Sequence, residues 1–391
     1  MPNSIHSCNK KVKNIIYIAN IRLPTEKAHG IQIMKMCEAF AEQGLEVSLV
    51  VPRRFNKIKE DPFDYYKIKQ NFKIRKAPTI DLVKFGKIGF LVQLLSFAEF
   101  VAWTFLFKKD AIFYTRDELV AFYLNNLGKK VVWEGHMGQT NWIVRFLIKR
   151  KVPMVMITNG LKDLYVSMGA DPEKIIVAPD AVDVEQFSIN ISKEEARKKL
   201  GLPTDKKIVL YTGHLYSWKG ADTAVQSAPG LPDNVIMIFV GGTAVDIERF
   251  EKNYGQNKKV MILGKKSYEE MPFFMKSADI LLLPNSAKED ISRFYTSPMK
   301  LFEYMTSGNP IIASDLPSLK EILNESNAYF FEPDNSESLA GVIKEVLNNY
   351  TEATNKAKRA LELVQNFSWA ERAKKIKAFD QAENVSSLSC F

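Results

Sequence analysis

YTSPMKLFEYMTSGNPIIASD, residues 295–315, contains a helix, its stop and the strand that follows, and this succession sets the architecture. Ser297 is a residue type that caps helices, and Pro298 suits the first helical position, where its missing N–H is no loss. Leu301, Phe302 and Met305 then form an apolar stripe at helical spacing. Gly308 is placed to end the helix in the left-handed region, and Asn309-Pro310 prevents continuation. Residues 311–313 read as a short apolar strand. The same stretch would suit an anion. The free backbone N–H groups over 297–300, with the hydroxyls of Thr296 and Ser297, match what a phosphate needs. Glu303 lies one turn further on and leans toward the helix start, within reach of a hydroxyl-bearing part of the same ligand such as a ribose. An ordinary capped helix with a solvated glutamate would read the same way.

Outward from this stretch the chain alternates apolar runs and helical patterns, which argues for parallel sheets with crossover helices. In the first half, residues 14–19, 47–51, 112–114, 130–133, 154–158 and 175–178 read as strands. Residues 30–43 read as a helix with Ile31, Met34, Cys37, Phe40 and Ala41 inward, Glu38 and Glu42 outward, and Gly44 at its end. A second alternation has strands at 208–212, 235–240, 260–263 and 280–283, with a helix at 221–227. The polar segment 188–206, with its own short helix at 193–200, joins the two. The expected fold is α/β, with two facing doubly wound Rossmann-like domains and an interdomain cleft. In such sheets ligands sit beyond the carboxyl ends of the strands.

At 391 residues the chain is long enough for two domains, each with its own core. Its net charge of +9 lies in the N-terminal half: residues 1–187 hold 28 Lys+Arg against 19 Asp+Glu, and residues 188–391 hold 26 of each. Lys10, Lys11 and Lys13, then Arg53 and Arg54, Lys73, Arg75 and Lys76, and Arg145, Lys149, Arg150 and Lys151 contribute to this excess. Such a field favours an anionic membrane surface, an acidic substrate or nucleic acid, or serves only solubility. No nucleic-acid recognition motif accompanies it. Cys8, Cys37 and Cys390 lack metal or disulfide spacing and fit a reducing, cytoplasmic setting. The first residues lack a signal-peptide pattern. Residues 89–107 (GFLVQLLSFAEFVAWTFLF) are strongly apolar and flanked by lysines, but Gln93, Ser96 and Glu99 favour a buried or membrane-dipping amphipathic helix over a true span.

Three further segments carry polar chemistry. In YTGHLYSWKG (211–220), Gly213 permits a tight turn and Lys219 stands just before a helix start, positioned to neutralise a phosphate. FVGGT (239–243) places Gly241 and Gly242 at a strand's carboxyl end. Neither loop matches GxGxxG, so a dinucleotide fingerprint is unsupported. Asp180 and Asp183 form a polar turn at the junction without metal-ligand spacing. No DxD occurs, and no metal is expected.

Taken together these motifs resemble the retaining glycosyltransferases of family 4, which have the GT-B fold. The resemblance rests on PDAVDVEQF (179–187), GHLYSWKG, ADILLLPN (278–285), SPMKLFEYMTSGNPIIASD and FSWAERAKKI (367–376). It implies an acceptor domain at 1–187, a nucleotide-sugar donor domain at 188–370, and a closing helix at 371–391 that crosses back. It further implies that Lys219 binds the donor diphosphate, with Gly213 and His214 in the same loop. Thr296, Ser297, Pro298, Met299 and Lys300 would hold the distal phosphate, Glu303 the ribose, and Leu263 and Gly264 the base. KAHGIQ (27–32), with His29 and Gly30, resembles the acceptor loop. His136 in WEGHMGQ (133–139) resembles the histidine beside the reacting sugar carbon. Two positions depart from the pattern: His214 stands where arginine is frequent, and Tyr295 stands where a first glutamate would touch the transferred sugar.

The implied reaction moves a sugar from a nucleotide diphosphate to a hydroxyl acceptor with retention, without cofactor or metal. The acceptor would be a lipid-linked or cell-surface glycan precursor met at the inner face of the cell membrane. The rival readings are a sugar-nucleotide epimerase of the same fold and a non-catalytic binding protein.

Overall fold

The structure is a computed structural model that describes residues 14–386, with side chains through residue 380. Lys10, Lys11, Lys13, Cys8 and Cys390 lie outside the described residues. The first half builds one sheet from β1 (Asn14–Ile18), β2 (Glu46–Pro52), β3 (Lys73–Ala77), β4 (Ile112–Thr115), β5 (Lys130–Gly135), β6 (Met154–Met156) and β7 (Ile175–Val177). Their order is β3-β2-β1-β4-β5-β6-β7 and every pairing is parallel. The second half repeats the plan with β8 (Lys207–Thr212), β9 (Val235–Val240), β10 (Val260–Gly264), β11 (Ile280–Leu283), β12 (Ile311–Ser314) and β13 (Tyr329–Phe331). These run β10-β9-β8-β11-β12-β13, again all parallel. In both sheets the order reverses beside the first strand, the switch point where such folds open a crevice.

Helices cover both faces of each sheet, so central strands are apolar throughout: β9 reads VIMIFV and is buried along its whole length. The two strands that the sequence does not announce are edge strands. β3 is KIRKA, four of its five residues facing at least partly to solvent, and β13 has only three residues. The junction helix Lys193–Leu200 forms where expected, with a capping box between Ser192 and Glu195 and Gly201 in the left-handed region.

The chain passes between the sheets twice, and the two passages touch. The Val182 N–H donates to the Phe367 carbonyl at 3.0 Å, and Val182 bridges to Ser368. The helix Trp369–Ser386 then lies against the helix Ala28–Glu42, where Trp369, Ala373 and Ile376 complete the core of the first sheet. A second clasp lies across the cleft. Glu321 accepts from the Asn159 N–H at 2.8 Å, the Asn159 side-chain amide at 3.1 Å and the Gly160 N–H at 3.2 Å. It thereby supplies a carboxylate to the start of the helix Asn159–Ser167.

One expectation needs correction, and the apolar helix behaves as its polar residues suggest. Glu38 does not face outward: it is buried, with Oε2 3.0 Å from Lys35 Nζ and Oε1 accepting from the Lys69 N–H at 2.8 Å. The loop before β3 folds over this face of the helix and needs an acceptor there. In keeping with the expectation of an amphipathic helix rather than a span, the helix Gly86–Thr104, long and apolar enough by composition to cross a membrane, packs one face on the first sheet. Gly89, Gln93, Phe97, Ala98, Val101 and Ala102 are inward, while Ile88, Leu91, Leu95 and Trp103 remain exposed.

Candidate functional site

The second sheet presents three glycines in a row at its carboxyl edge. Gly213, Gly241 and Gly264 follow or end the adjacent strands β8, β9 and β10, with φ values of 121°, 121° and 64°. The Gly213 N–H donates to the Val240 carbonyl and the Gly241 N–H to the Gly264 carbonyl, each at 2.8 Å. A methyl group on Gly241 would overlap the Gly213 carbonyl, so this edge can be crossed only by bare backbone. Gly242, also in the left-handed region at φ 93°, packs against Leu215 and Ile247. Leu263, next to Gly264, is half-buried.

Two cations meet this bare edge. Lys300 is buried; its Nζ donates to the Thr212 carbonyl at 3.2 Å and lies 3.9 Å from the Tyr211 ring centre. Burial, with the nearby Lys219 charge, drives the Lys300 pKa well below the ordinary lysine value. Lys219 ends the short turn Ser217–Lys219, with its Nζ 3.8 Å from the Trp218 ring centre. Gly220 follows in the left-handed region and abuts the Pro284 carbonyl, which fixes the turn against the end of β11. Desolvation lowers the Lys219 pKa to about 8. Neither lysine forms a salt bridge among the described residues, so their charges await an anion. His214 stacks on Tyr216, 4.8 Å between ring centres; its Nδ1 is buried without a partner, and desolvation lowers its pKa.

Glu303 lies in the helix Met299–Ser307, buried, with Oε1 accepting from the Tyr268 hydroxyl at 3.0 Å. Burial raises its pKa to about 7, against the opposing pull of Tyr268 and Lys300. The start of this helix differs from the expectation. Pro298, not Ser297, is the cap residue, and no side chain caps the helix. The Ser297 hydroxyl instead accepts from the Asp180 N–H at 3.0 Å, tying this loop to the turn where the chain first passes between the sheets. A residue before proline is held extended, which carries Ser297 away from the helix end. The first helical N–H groups, at Met299 and Lys300, therefore remain without a side-chain cap. Met299 itself packs into the core of the first domain, and Thr296 is half-buried beside it.

Across the cleft stands His136, one residue past β5. Its ring contacts Glu134 and Arg116; Arg116 Nη2 is 2.7 Å from Nδ1 and donates to Gln32 Oε1 at 2.6 Å. Burial and the Arg116 charge lower the His136 pKa to about 4, so the ring is neutral. Glu134 is buried and also accepts from the Tyr114 hydroxyl and, at 3.0 Å, from Arg372 Nη2 on the C-terminal helix. Burial opposes its ionisation, but Arg372, His136 and Arg116 hold its carboxyl well below the usual range. Gln32 donates to Asp180, whose pKa burial raises to about 6. The sequence reading missed Arg116, Glu134 and Arg372; the one signal was a charge at the end of the apolar run VVWEG.

His29 and Gly30 lie at the start of the helix Ala28–Glu42. Burial and Arg116 lower the His29 pKa to about 4. A side chain at Gly30 would strike Tyr66, whose hydroxyl accepts from the Thr25 N–H and donates to its carbonyl, each at 2.7 Å; packing alone thus accounts for the glycine. Tyr295 turns away from the donor edge and packs on Gly138 and Leu164 of the facing domain.

Comparison with known proteins places this geometry. Residues 192–363 match the family described as glycosyl transferases group 1, and that match lies within the second half of the chain. An uncharacterised glycosyltransferase of Methanocaldococcus jannaschii is 27% identical over 233 residues, covering 56% of this chain and 57% of that protein. A UDP-Gal:alpha-D-GlcNAc-diphosphoundecaprenol alpha-1,3-galactosyltransferase of Escherichia coli is 24% identical over 251 residues, covering 60% and 62%. The chain thus spans little more than half the length of the curated relatives it matches. HepE of Anabaena, solved in complex with UDP, superposes with a TM-score of 0.73 at 15% identity, covering 96% of this chain and all of the other. The fold is GT-B. Its two halves correspond to the two parallel sheets, and the residues above line the cleft edges that the fold leaves open.

Proposed function

We propose that this protein is a retaining glycosyltransferase that moves a sugar from a nucleoside diphosphate to a hydroxyl of a lipid-linked or cell-surface glycan precursor. The observation that carries this reading is the pair Lys219 and Lys300, desolvated and without a salt bridge among the described residues at a glycine-bared strand edge, with Glu303 on the same helix as Lys300. The group 1 match over this half supports it, as do a fold relative solved with UDP and a curated relative named for transfer from UDP-Gal.

In this reading the diphosphate lies over Gly213, its charge balanced by Lys219, Lys300 and the free helix N–H groups, and Glu303 accepts from the ribose hydroxyls. These groups stabilise the departing diphosphate as its bond to the anomeric carbon breaks and that carbon becomes cationic, with no covalent glycosyl-enzyme intermediate. The leaving phosphate oxygen takes the acceptor proton on the same face, which preserves the anomeric configuration. Neutral His136 adds no positive charge beside that carbon.

The first test is thermal stabilisation by a panel of nucleoside diphosphates and their sugars, with Glu303→Ala alongside. One diphosphate should raise the melting temperature, and Glu303→Ala should abolish most of the shift. A chain that no nucleotide stabilises is not a transferase of this kind. A new sugar nucleotide formed from the donor alone would identify an epimerase, and binding without transfer to any acceptor a non-catalytic protein.

A further inference from the structure

The first sheet carries a rim beside the cleft that the sequence divides between two distant segments. Residues 53–60 leave β2 and residues 78–82 leave β3, both at the carboxyl edge. Asp81 joins them: Oδ1 accepts from Arg54 Nε at 3.3 Å and Oδ2 from the Phe55 N–H at 2.9 Å. The second segment is pinned in turn to the helix Gly86–Thr104. Thr79 Oγ1 lies 3.0 Å from the Ser96 hydroxyl, and the Ile80 N–H donates to that hydroxyl at 3.0 Å.

Gln93 shows where this helix stands relative to the sheet. Its Nε2 donates to Asn20 Oδ1 at 2.8 Å, and Asn20 lies just past the end of β1. A helix joining parallel strands runs against them, so the residues before Gln93 project beyond the carboxyl edge. At 1.5 Å per residue, Gly86 stands about 10 Å further out than Gln93.

The side chains on this overhang are apolar and exposed. Phe55 is 75% accessible, Phe85 65% and Ile88 79%, and Ile80 lies between them. Cations interleave with them rather than forming a separate patch. Lys59 Nζ is 5.3 Å from the Phe55 ring centre, and Lys84 Nζ is 4.9 Å from that of Phe85. Lys57 and Lys87 extend both flanks. The carboxylates within 53–60 and 79–90 are Asp81, already paired with Arg54, and the exposed Glu60 at the end of the first segment, against six Lys and Arg. Exposed aromatics whose neighbours are lysines, with cations well in excess of carboxylates, match an interface that is hydrocarbon at depth and negative at its surface. The lysine stems lie along the apolar layer while their ammonium groups reach headgroup phosphates.

We infer that this rim, Phe55 with Ile80 to Ile88, rests on an anionic bilayer and holds the mouth of the cleft at the lipid surface. The basic run Lys149 to Lys151 does not share this role. It follows the helix Trp142–Lys149, which runs back from the carboxyl edge, and so lies at the opposite edge of the sheet. The inference depends on the transferase reading only for its purpose, a site that meets its acceptor at the membrane.

The test uses the full chain and sedimentation with vesicles of phosphatidylglycerol or phosphatidylcholine. The wild-type protein should sediment with the anionic vesicles alone, and binding should fall as salt rises. Phe85→Asp/Ile88→Asp and Lys84→Glu/Lys87→Glu should each weaken binding at least about fivefold, and Lys149→Glu/Arg150→Glu less than about twofold. These side chains are exposed and outside the site, so nucleotide-induced stabilisation should persist in every variant and report correct folding. Unchanged vesicle binding in the rim variants would overturn the inference, as would loss confined to the Lys149/Arg150 pair. A wild-type dimer by light scattering that Phe85→Asp/Ile88→Asp dissolves would assign the rim to a second copy instead. Vesicle binding that follows the rim while no nucleotide binds would leave this inference standing and sink the transferase reading.

Discussion

The carboxyl edges of the two sheets face each other with opposite electrostatic logic. On the second sheet, Lys219 and Lys300 are desolvated and form no salt bridge among the described residues, with Asp180 and Glu303 acting on them only at longer range; on the first, Glu134, Arg116, His136 and Arg372 answer one another. Unanswered buried charge is costly and persists where a ligand of opposite sign arrives. Answered charge leaves little for a ligand, and instead fixes geometry. The first edge is therefore a frame for His136, anchored from the far end of the chain by Arg372, and the second is a receptor for an anion.

The largest effect should come from breaking the answered cluster. Glu134→Gln strips the counter-charge from Arg372 and Arg116 in a buried site, and should destabilise the protein by about 3–5 kcal/mol. Urea unfolding measures this directly. Stability within about 0.5 kcal/mol of wild type would mean that the cluster is wetter and looser than its burial implies.

A medium effect separates the receptor edge by pH. Glu303 has a pKa of about 7 and accepts from a ribose most strongly when ionised; Lys219 has a pKa of about 8 and must be protonated to neutralise a phosphate. Nucleotide affinity should be highest between these values and fall about fivefold by pH 6 and again by pH 9. Glu303→Gln should erase the acid limb and Lys219→Arg the alkaline one. The stability of the free protein should carry the same signature. The Glu303 pKa is raised from 4.5, so its contribution is fully present below pH 4.5 and lost as pH rises through 7. The Lys219 pKa is lowered from 10.5, so the protein gains stability from pH 8 to 10.5. The difference between wild type and each variant isolates these terms from other titrating groups. Pulsed calorimetric titrations flat across this range would refute the assignment of both residues.

This contrast also accounts for what the sequence disclosed. The receptor edge is local: Gly213 and Lys219 share one loop, Lys300 and Glu303 one helix, and each follows a readable apolar strand. The frame is assembled by topology. Arg116, Glu134 and Arg372 come from two strand ends and a returning helix, and nothing in their own neighbourhoods signals the meeting. The same division holds for the fold. Interior strands such as VIMIFV are continuous apolar runs, whereas KIRKA at an edge has no such run, because one side needs no burial. Ser297 was misassigned for a related reason: its hydroxyl is claimed by Asp180, more than a hundred residues away in sequence.

The smallest effect concerns the clasp that holds the edges at their present distance. Glu321 offers one charged acceptor set to the start of the helix Asn159–Ser167, and Tyr295 and Phe294 pack beside it on Gly138 and Gly160. Glu321→Gln keeps the shape and one acceptor oxygen but removes the charge, a loss of about 0.3–1 kcal/mol at a helix start. Because the clasp touches neither Lys219 nor Glu303, affinity for the nucleoside diphosphate alone should change less than about twofold. Turnover should fall further than affinity if the two edges must approach for transfer, since His136 and the donor belong to different domains. Equal losses in both would show that the clasp shapes the donor edge itself, and the separation between receptor and frame would no longer hold.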